Sequence, residues 1–209
     1  MPTVRELKQN YERHQQGKEV RAISIAVRNK RFAALKPHEK RIAIARDVLR
    51  SLKLRNLRAV NGSYIKGERY DHKDVRKNVQ GACQVCAIGA AFVTSVRKFN
   101  NLFLYEDEPA HHGWLTDNAM RPYLVGLGAF SYADLTRMEQ AFEGNWAVND
   151  SERNEFGITI TSGTRLRRVM MGIILNGGEC NFTEELFGKV IAAERAAKRK
   201  ARRLREARR

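Results

Sequence analysis

The chain has 209 residues, with 39 Lys/Arg against 23 Asp/Glu and a formal charge of +16. Its 43% hydrophobic share can fill a sizeable core, which excludes a wholly disordered chain. No apolar run approaches the roughly 20 residues that span a bilayer, so no membrane partner is expected.

Three cysteines are too few, and odd in number, for a secreted disulfide scaffold. The start, MPTVRELKQNYERHQQ, is polar and lacks an apolar signal core. The expectation is a soluble protein of the reducing cytoplasm. Charge is segregated along the chain. Residues 1–80 carry 21 Lys/Arg against 8 Asp/Glu, residues 81–188 carry 8 against 13, and residues 189–209 carry 10 against 2. Two basic segments flanking a mildly acidic middle point to a polyanionic partner: nucleic acid first, then an acidic protein surface, then anionic lipid. Three regions follow: a basic helical N-terminal region (1–80) packed on the core, a helical core (81–188) and a basic C-terminal extension (189–209).

In chain order, Thr3 and Glu6 form a capping box that opens a short polar helix ending near Gly17. Residues 19–35 fit both helical spacing and strand alternation, and their Ala and Arg content favours helix. Pro37 suits the first turn of a helix over 37–59, with Ile42, Ala45, Val48, Leu49 and Leu52 on its apolar stripe. Arg41, Arg46, Arg50, Lys53, Arg55 and Arg58 cover much of the rest, beside one acid, Asp47. An ordinary solvated face explains one or two such cations less awkwardly than six. The turn signals Asn61-Gly62 and Gly67 predict a small hairpin or irregular loop within 60–80. Tyr64 and Tyr70 sit there among Lys66, Arg69, Lys73, Arg76 and Lys77, as stacking platforms for bases or as packing onto the body.

Residues 82–98 predict the most apolar helix, followed by a short strand within LFLYEDEPAHHGW. Helical patterns return near 116–126 and after Ser131, where Gly144 can end the second helix. Residues 145–162 read as irregular. Thr164 to Asn176 predicts an amphipathic helix with Leu166, Val169, Met170, Ile173 and Ile174 inward, stopped by Gly177-Gly178. Thr183 opens the last helix, which runs into KRKARRLREARR. The fold class is mainly α.

In that last segment cations fall on every side of the helical wheel, so it has no evident face to bury. Like charges at i,i+4 weaken it in isolation, which predicts fraying when free and ordering on an anion. If six to eight of its cations meet phosphates, the log–log dependence of affinity on salt has a slope of about −5 to −7.

Cys83 and Cys86 in CQVC admit three readings. As a zinc half-site they need further ligands from His111, His112 or Cys180, and the adjacent histidines diverge in most backbone conformations. As a redox pair they lack the usual context and a surrounding βαβ pattern. As packing they join Ala82, Ala87, Gly89, Ala90 and Ala91 as small residues that let another helix approach, which is the preferred reading. Asp150 to Thr161 fails as a calcium loop, with Glu155 where Gly is needed and Thr161 where Glu is needed. The acids Glu106, Asp107 and Glu108 beside His111 and His112 read as a solvated loop ahead of acid–base or metal chemistry. No Gly-rich phosphate loop is present.

CQVCAIGAAF (83–92), MEQAFEGNW (138–146) and RLRRVMMGIILNGGECNF (165–182) resemble a pattern of small uncharacterised bacteriophage and bacterial proteins. That pattern has a Cys-x-x-Gly-Ala type of helix and a helix ending in Asn-Gly-Gly. The resemblance covers under half the chain. It implies a compact helical core and a phage or mobile-element origin, and carries no activity.

The resulting expectation is a non-enzymatic, cofactor-free binder of RNA or DNA, nonspecific or shape-based, acting as a phage accessory or host-takeover factor. Phosphate contacts are expected from Arg41, Arg46, Arg50, Lys53, Arg55 and Arg58, and from Lys198, Arg199, Lys200, Arg202, Arg203 and Arg205. The alternatives are an inhibitor that presents its cations to an acidic host protein, and a zinc or thiol enzyme built on Cys83, Cys86, His111 and Cys180.

Overall fold

A computed structural model describes residues 24–60, 65–67, 83–99, 117–143 and 160–207. Within them the fold is mainly helical, as the sequence predicts. The elements in chain order are α1 (24–33), α2 (Pro37–Lys53), β1 (Leu57–Ala59), β2 (Ile65–Gly67), β3 (Cys83–Val85), α3 (Ala87–Phe99), α4 (Asp117–Gly126), α5 (Tyr132–Glu143), α6 (Ser162–Leu175) and α7 (Glu184–Glu206). No described helix is long and apolar enough to cross a membrane.

The most apolar helix forms the centre. In α3 every residue from Ala87 to Val96 is buried, and so is Phe99. Its alanines and Gly89 let α2, α4 and α5 approach closely, and larger side chains fill the gaps: Phe92 meets Tyr123 edge-on at 5.0 Å, and Phe32 tilts against Phe99 at 4.2 Å. The small sheet has the order β1-β3-β2, with β1 parallel to β3 and β2 antiparallel to it. α6 lies between α2 and α7 and packs on both. α1 closes the far end of α3: Arg28 donates to the Lys98 carbonyl at 2.8 Å and Asn29 to that of Phe99 at 3.1 Å. Two carbonyls at the C-terminus of α3 thereby gain side-chain donors.

Four expectations are corrected. α2 ends at Lys53 instead of 59; Arg55 sits in the turn that follows, with φ +59°, and Leu57–Ala59 is strand. Cys83–Val85 is strand instead of helix start, because it supplies the middle strand that β1 and β2 both need. The small hairpin predicted within 60–80 is β2 paired with β3, so its second strand lies beyond residue 80. The core does not begin at 81 either. One continuous hydrophobic cluster takes in Phe32, Ile44, Ala45, Val48 and Leu57 together with the residues of α3 to α7. The polar helix predicted over 3–17, the strand after residue 101 and the irregular stretch at 145–159 lie outside the described residues.

The Asn-Gly-Gly helix end has a physical reason. Gly178 has φ +93°, and a Cβ there would sit 2.3 Å from the His38 carbonyl oxygen. The chain must therefore lack a side chain where α6 turns back against the first turn of α2. Asn176 steadies that turn by donating to the carbonyls of Glu179 and Asn181, at 3.4 and 3.3 Å.

Candidate nucleic-acid interface

Of the six early cations, Arg41 is withdrawn from the candidate surface. It is 8% exposed and faces the core from the stripe that also carries Ile44, Ala45 and Val48. Its Nε donates to the Gly178 carbonyl, and one terminal nitrogen donates to the Ala129 carbonyl at 3.0 Å and lies 3.4 Å from Asp134 Oδ2. The other terminal nitrogen meets Glu179 Oε1 at 3.1 Å. Asp134 also accepts from the Ser131 backbone N–H at 3.0 Å, while its own N–H donates to the Ser131 hydroxyl at 3.1 Å. Arg41 thus ties α2 to the start of α5 and to the α6–α7 turn. A guanidinium so engaged is a structural cation.

Arg46, Arg50 and Lys53 are exposed, and their i, i+4, i+7 spacing puts them in one row on the solvent side of α2. Arg50 lies 3.6 Å from Asp47, whose carboxylate also pairs with Lys98 of α3. Arg55 and Arg58 are exposed as well, but on the turn and on β1 instead of on the helix. Tyr64 and Tyr70, the proposed stacking residues, lie outside the described residues.

α7 combines an anchored half and an exposed half. Thr183 caps it by accepting from the Leu186 N–H at 3.2 Å, and Leu186, Phe187 and Val190 are buried. Glu194 is the last anchor: it receives Arg168 Nε of α6 at 3.2 Å, and both side chains are largely buried. From 195 to 207 every residue is exposed. The sequence reading expects this segment to fray, whereas the structure carries the helix through Glu206. Arg202 pairs with Glu206 one turn on, at 2.7 Å.

Among the described residues past Glu194 the cations leave one strip of the wheel open. At about 100° per residue, Arg195, Lys198, Arg199, Lys200, Arg202, Arg203 and Arg205 occupy an arc of about 220°. The remaining strip, Ala197, Ala201 and Leu204, continues the line of Leu186 and Val190. Phe187, also buried, lies in line with Arg205, so the Lys198 and Arg205 edge of the arc overlaps the docking side while the rest of the arc points away from it.

One cationic place was missed in the sequence. An open groove of about 680 Å³ runs between β1 and the N-terminus of α6, with Arg58, Arg165 and Arg167 on its walls. Arg165 is held by a bond to the Glu143 carbonyl at 3.1 Å and lies over the Phe142 ring. Arg165 and Arg167 read in the sequence as the polar side of an amphipathic helix. Only the tertiary approach of β1 brings Arg58 near them.

The cysteines pack. Cys83, Cys86 and Cys180 are all buried, and the Gly89 N–H donates to the Cys86 sulfur at 3.4 Å, at the first turn of α3. Burial pushes the Cys86 thiol up to about 12, and the Cys180 thiol likewise to about 12. Neither is a thiolate nucleophile at neutral pH. Among the described residues no three His, Cys, Asp or Glu side chains gather into a metal site, so Cys83, Cys86 and Cys180 do not form the zinc centre considered above. His111 lies outside the described residues.

Comparison with family models, curated proteins and solved structures gave no match.

Proposed function

We propose that this chain binds nucleic acid through the phosphate backbone and carries out no chemical step of its own. The observation that supports this reading is the exposed half of α7. Seven of the twelve residues from Arg195 to Glu206 are cations and one is an acid. They stand on a helix rooted in the core by Val190 and the Arg168–Glu194 pair. A helix that only needed solubility would not require cations over more than half of its circumference. The Arg46, Arg50 and Lys53 row adds a second place where phosphates can be met. Phosphate contacts position a backbone without reading its sequence, so binding is expected to be largely sequence-independent.

The test is oligonucleotide binding by nuclease-treated protein across a salt series. The expected result is binding at low salt with a log–log slope of about −5 to −7. A chain ending at Glu194 should keep its fold and lose most of the affinity. Absence of binding to every single- and double-stranded oligonucleotide at low ionic strength overturns the reading.

A further inference from the structure

Resting on that reading, we infer that the exposed half of α7 lies in the major groove of B-form double-stranded DNA. The argument is one of shape. The segment Arg195–Glu206 is about 18 Å long at 1.5 Å per residue, and an α-helix with its side chains is about 10–12 Å across. The major groove of B-DNA is about 12 Å wide and 8.5 Å deep. The A-form major groove of an RNA duplex is deep and narrow.

The arc of cations decides between lying on a surface and entering a groove. A helix on a flat anionic surface meets it over less than half of its circumference, and cations beyond that face solvent. Here the arc is about 220°. Lys200 and Arg203 mark one flank, Lys198 and Arg205 the other, with Arg195, Arg199 and Arg202 between. All can be neutralised together where phosphates rise on both sides of the helix, as on the two walls of a groove. The strip left free of cations, Ala197, Ala201 and Leu204, faces the side on which Leu186 and Val190 enter the core. In the groove that strip faces outward, toward the body of the protein. The placement turns the strip of Ala197, Ala201 and Leu204 away from the groove, with Lys198 and Arg205, in register with the buried Phe187, at its edge.

The experiment uses the full chain and two duplexes of one sequence, one DNA and one RNA, with binding followed by fluorescence anisotropy. Two double variants keep helix propensity: Lys200→Gln with Arg203→Gln, and Lys198→Gln with Arg205→Gln. All four positions are exposed and outside the core, so thermal unfolding should be unchanged. DNA duplex is expected to bind at least about tenfold tighter than RNA duplex. Each flank variant should lose about tenfold, with the salt slope flattened by about 2. A DNA whose major groove is filled by a third strand should bind weakly. Equal affinity for the two duplexes, or one flank variant without effect, overturns the groove while leaving nucleic-acid binding in place. Failure of every oligonucleotide to bind overturns the underlying reading itself.

Discussion

α2 and α7 are both rich in arginine, yet they use it in opposite ways. α2 turns Arg41 inward, where two carbonyls and two carboxylates receive it. Past Glu194, α7 turns none of its cations inward. Charge density alone is thus a poor guide to role. What separates the two is register against the apolar stripe. Arg41 lies three, four and seven residues before Ile44, Ala45 and Val48, on their side of the helix. Most α7 cations lie off the line that Leu186 and Val190 begin, and Lys198 and Arg205, which share the register of Phe187, are exposed beyond the last buried residue of the helix.

The sharpest break of this contrast is Arg41→Ala. It takes the nearer of two cations from the largely buried Asp134, leaving it the Ser131 N–H and the more distant Arg137, and strips the α6–α7 turn of the guanidinium donor. Chemical unfolding is expected to show a loss of about 3–5 kcal/mol. An unchanged midpoint would place Arg41 with the surface cations. Next comes Gly178→Ala, which needs a positive φ and forces a methyl against the His38 backbone. A loss of about 2–4 kcal/mol is expected, with the α2–α6 contact the first to loosen in hydrogen exchange.

The buried thiols give a pH test. Cys86 and Cys180 stay protonated in the fold, near 12, whereas they ionise near 9.0 when exposed. Their contribution is whole below about pH 9 and is lost as pH rises toward 12, because only the unfolded chain releases those protons readily. Cys86→Ala should flatten the alkaline decline in melting temperature, and both thiols should resist alkylation at pH 8. Smaller still is Arg55→Gly. Arg55 holds a left-handed backbone at φ +59°, so glycine should raise stability by about 0.5–1 kcal/mol. Least of all, Lys198→Gln and Arg202→Gln should move the unfolding free energy by under about 0.5 kcal/mol while weakening DNA binding. A larger stability loss would mean that the exposed half of α7 packs on something.

Much of this was legible in the sequence. Pro37, Ser131 and Thr183 mark helix starts, and Gly177-Gly178 marks an end, because each residue type solves a local backbone problem. The inward set on α6 was read with little error: Leu166, Val169, Met170 and Ile173 are buried. The strands were not legible, since three residues such as Leu57-Arg58-Ala59 are too short to show alternation and form only through partners far along the chain. The inward position of Arg41 was legible in principle from its spacing to Ile44, Ala45 and Val48. It was missed because Ile42 and Leu49 suggested a stripe rotated by part of a turn, and because a buried guanidinium needs carbonyls that no local pattern reveals. The groove holding Arg58, Arg165 and Arg167 depends on the same long-range assembly.

One property of α7 reaches further than its charge. It runs without a break from buried root to exposed end, so the compass bearing of its outer half is fixed by residue count alone. A single alanine inserted after Glu194 would leave composition and anchoring intact but swing the outer half by about 100° about its axis. Orientation in this molecule is kept by the helical screw, as a key keeps its teeth aligned with its bow.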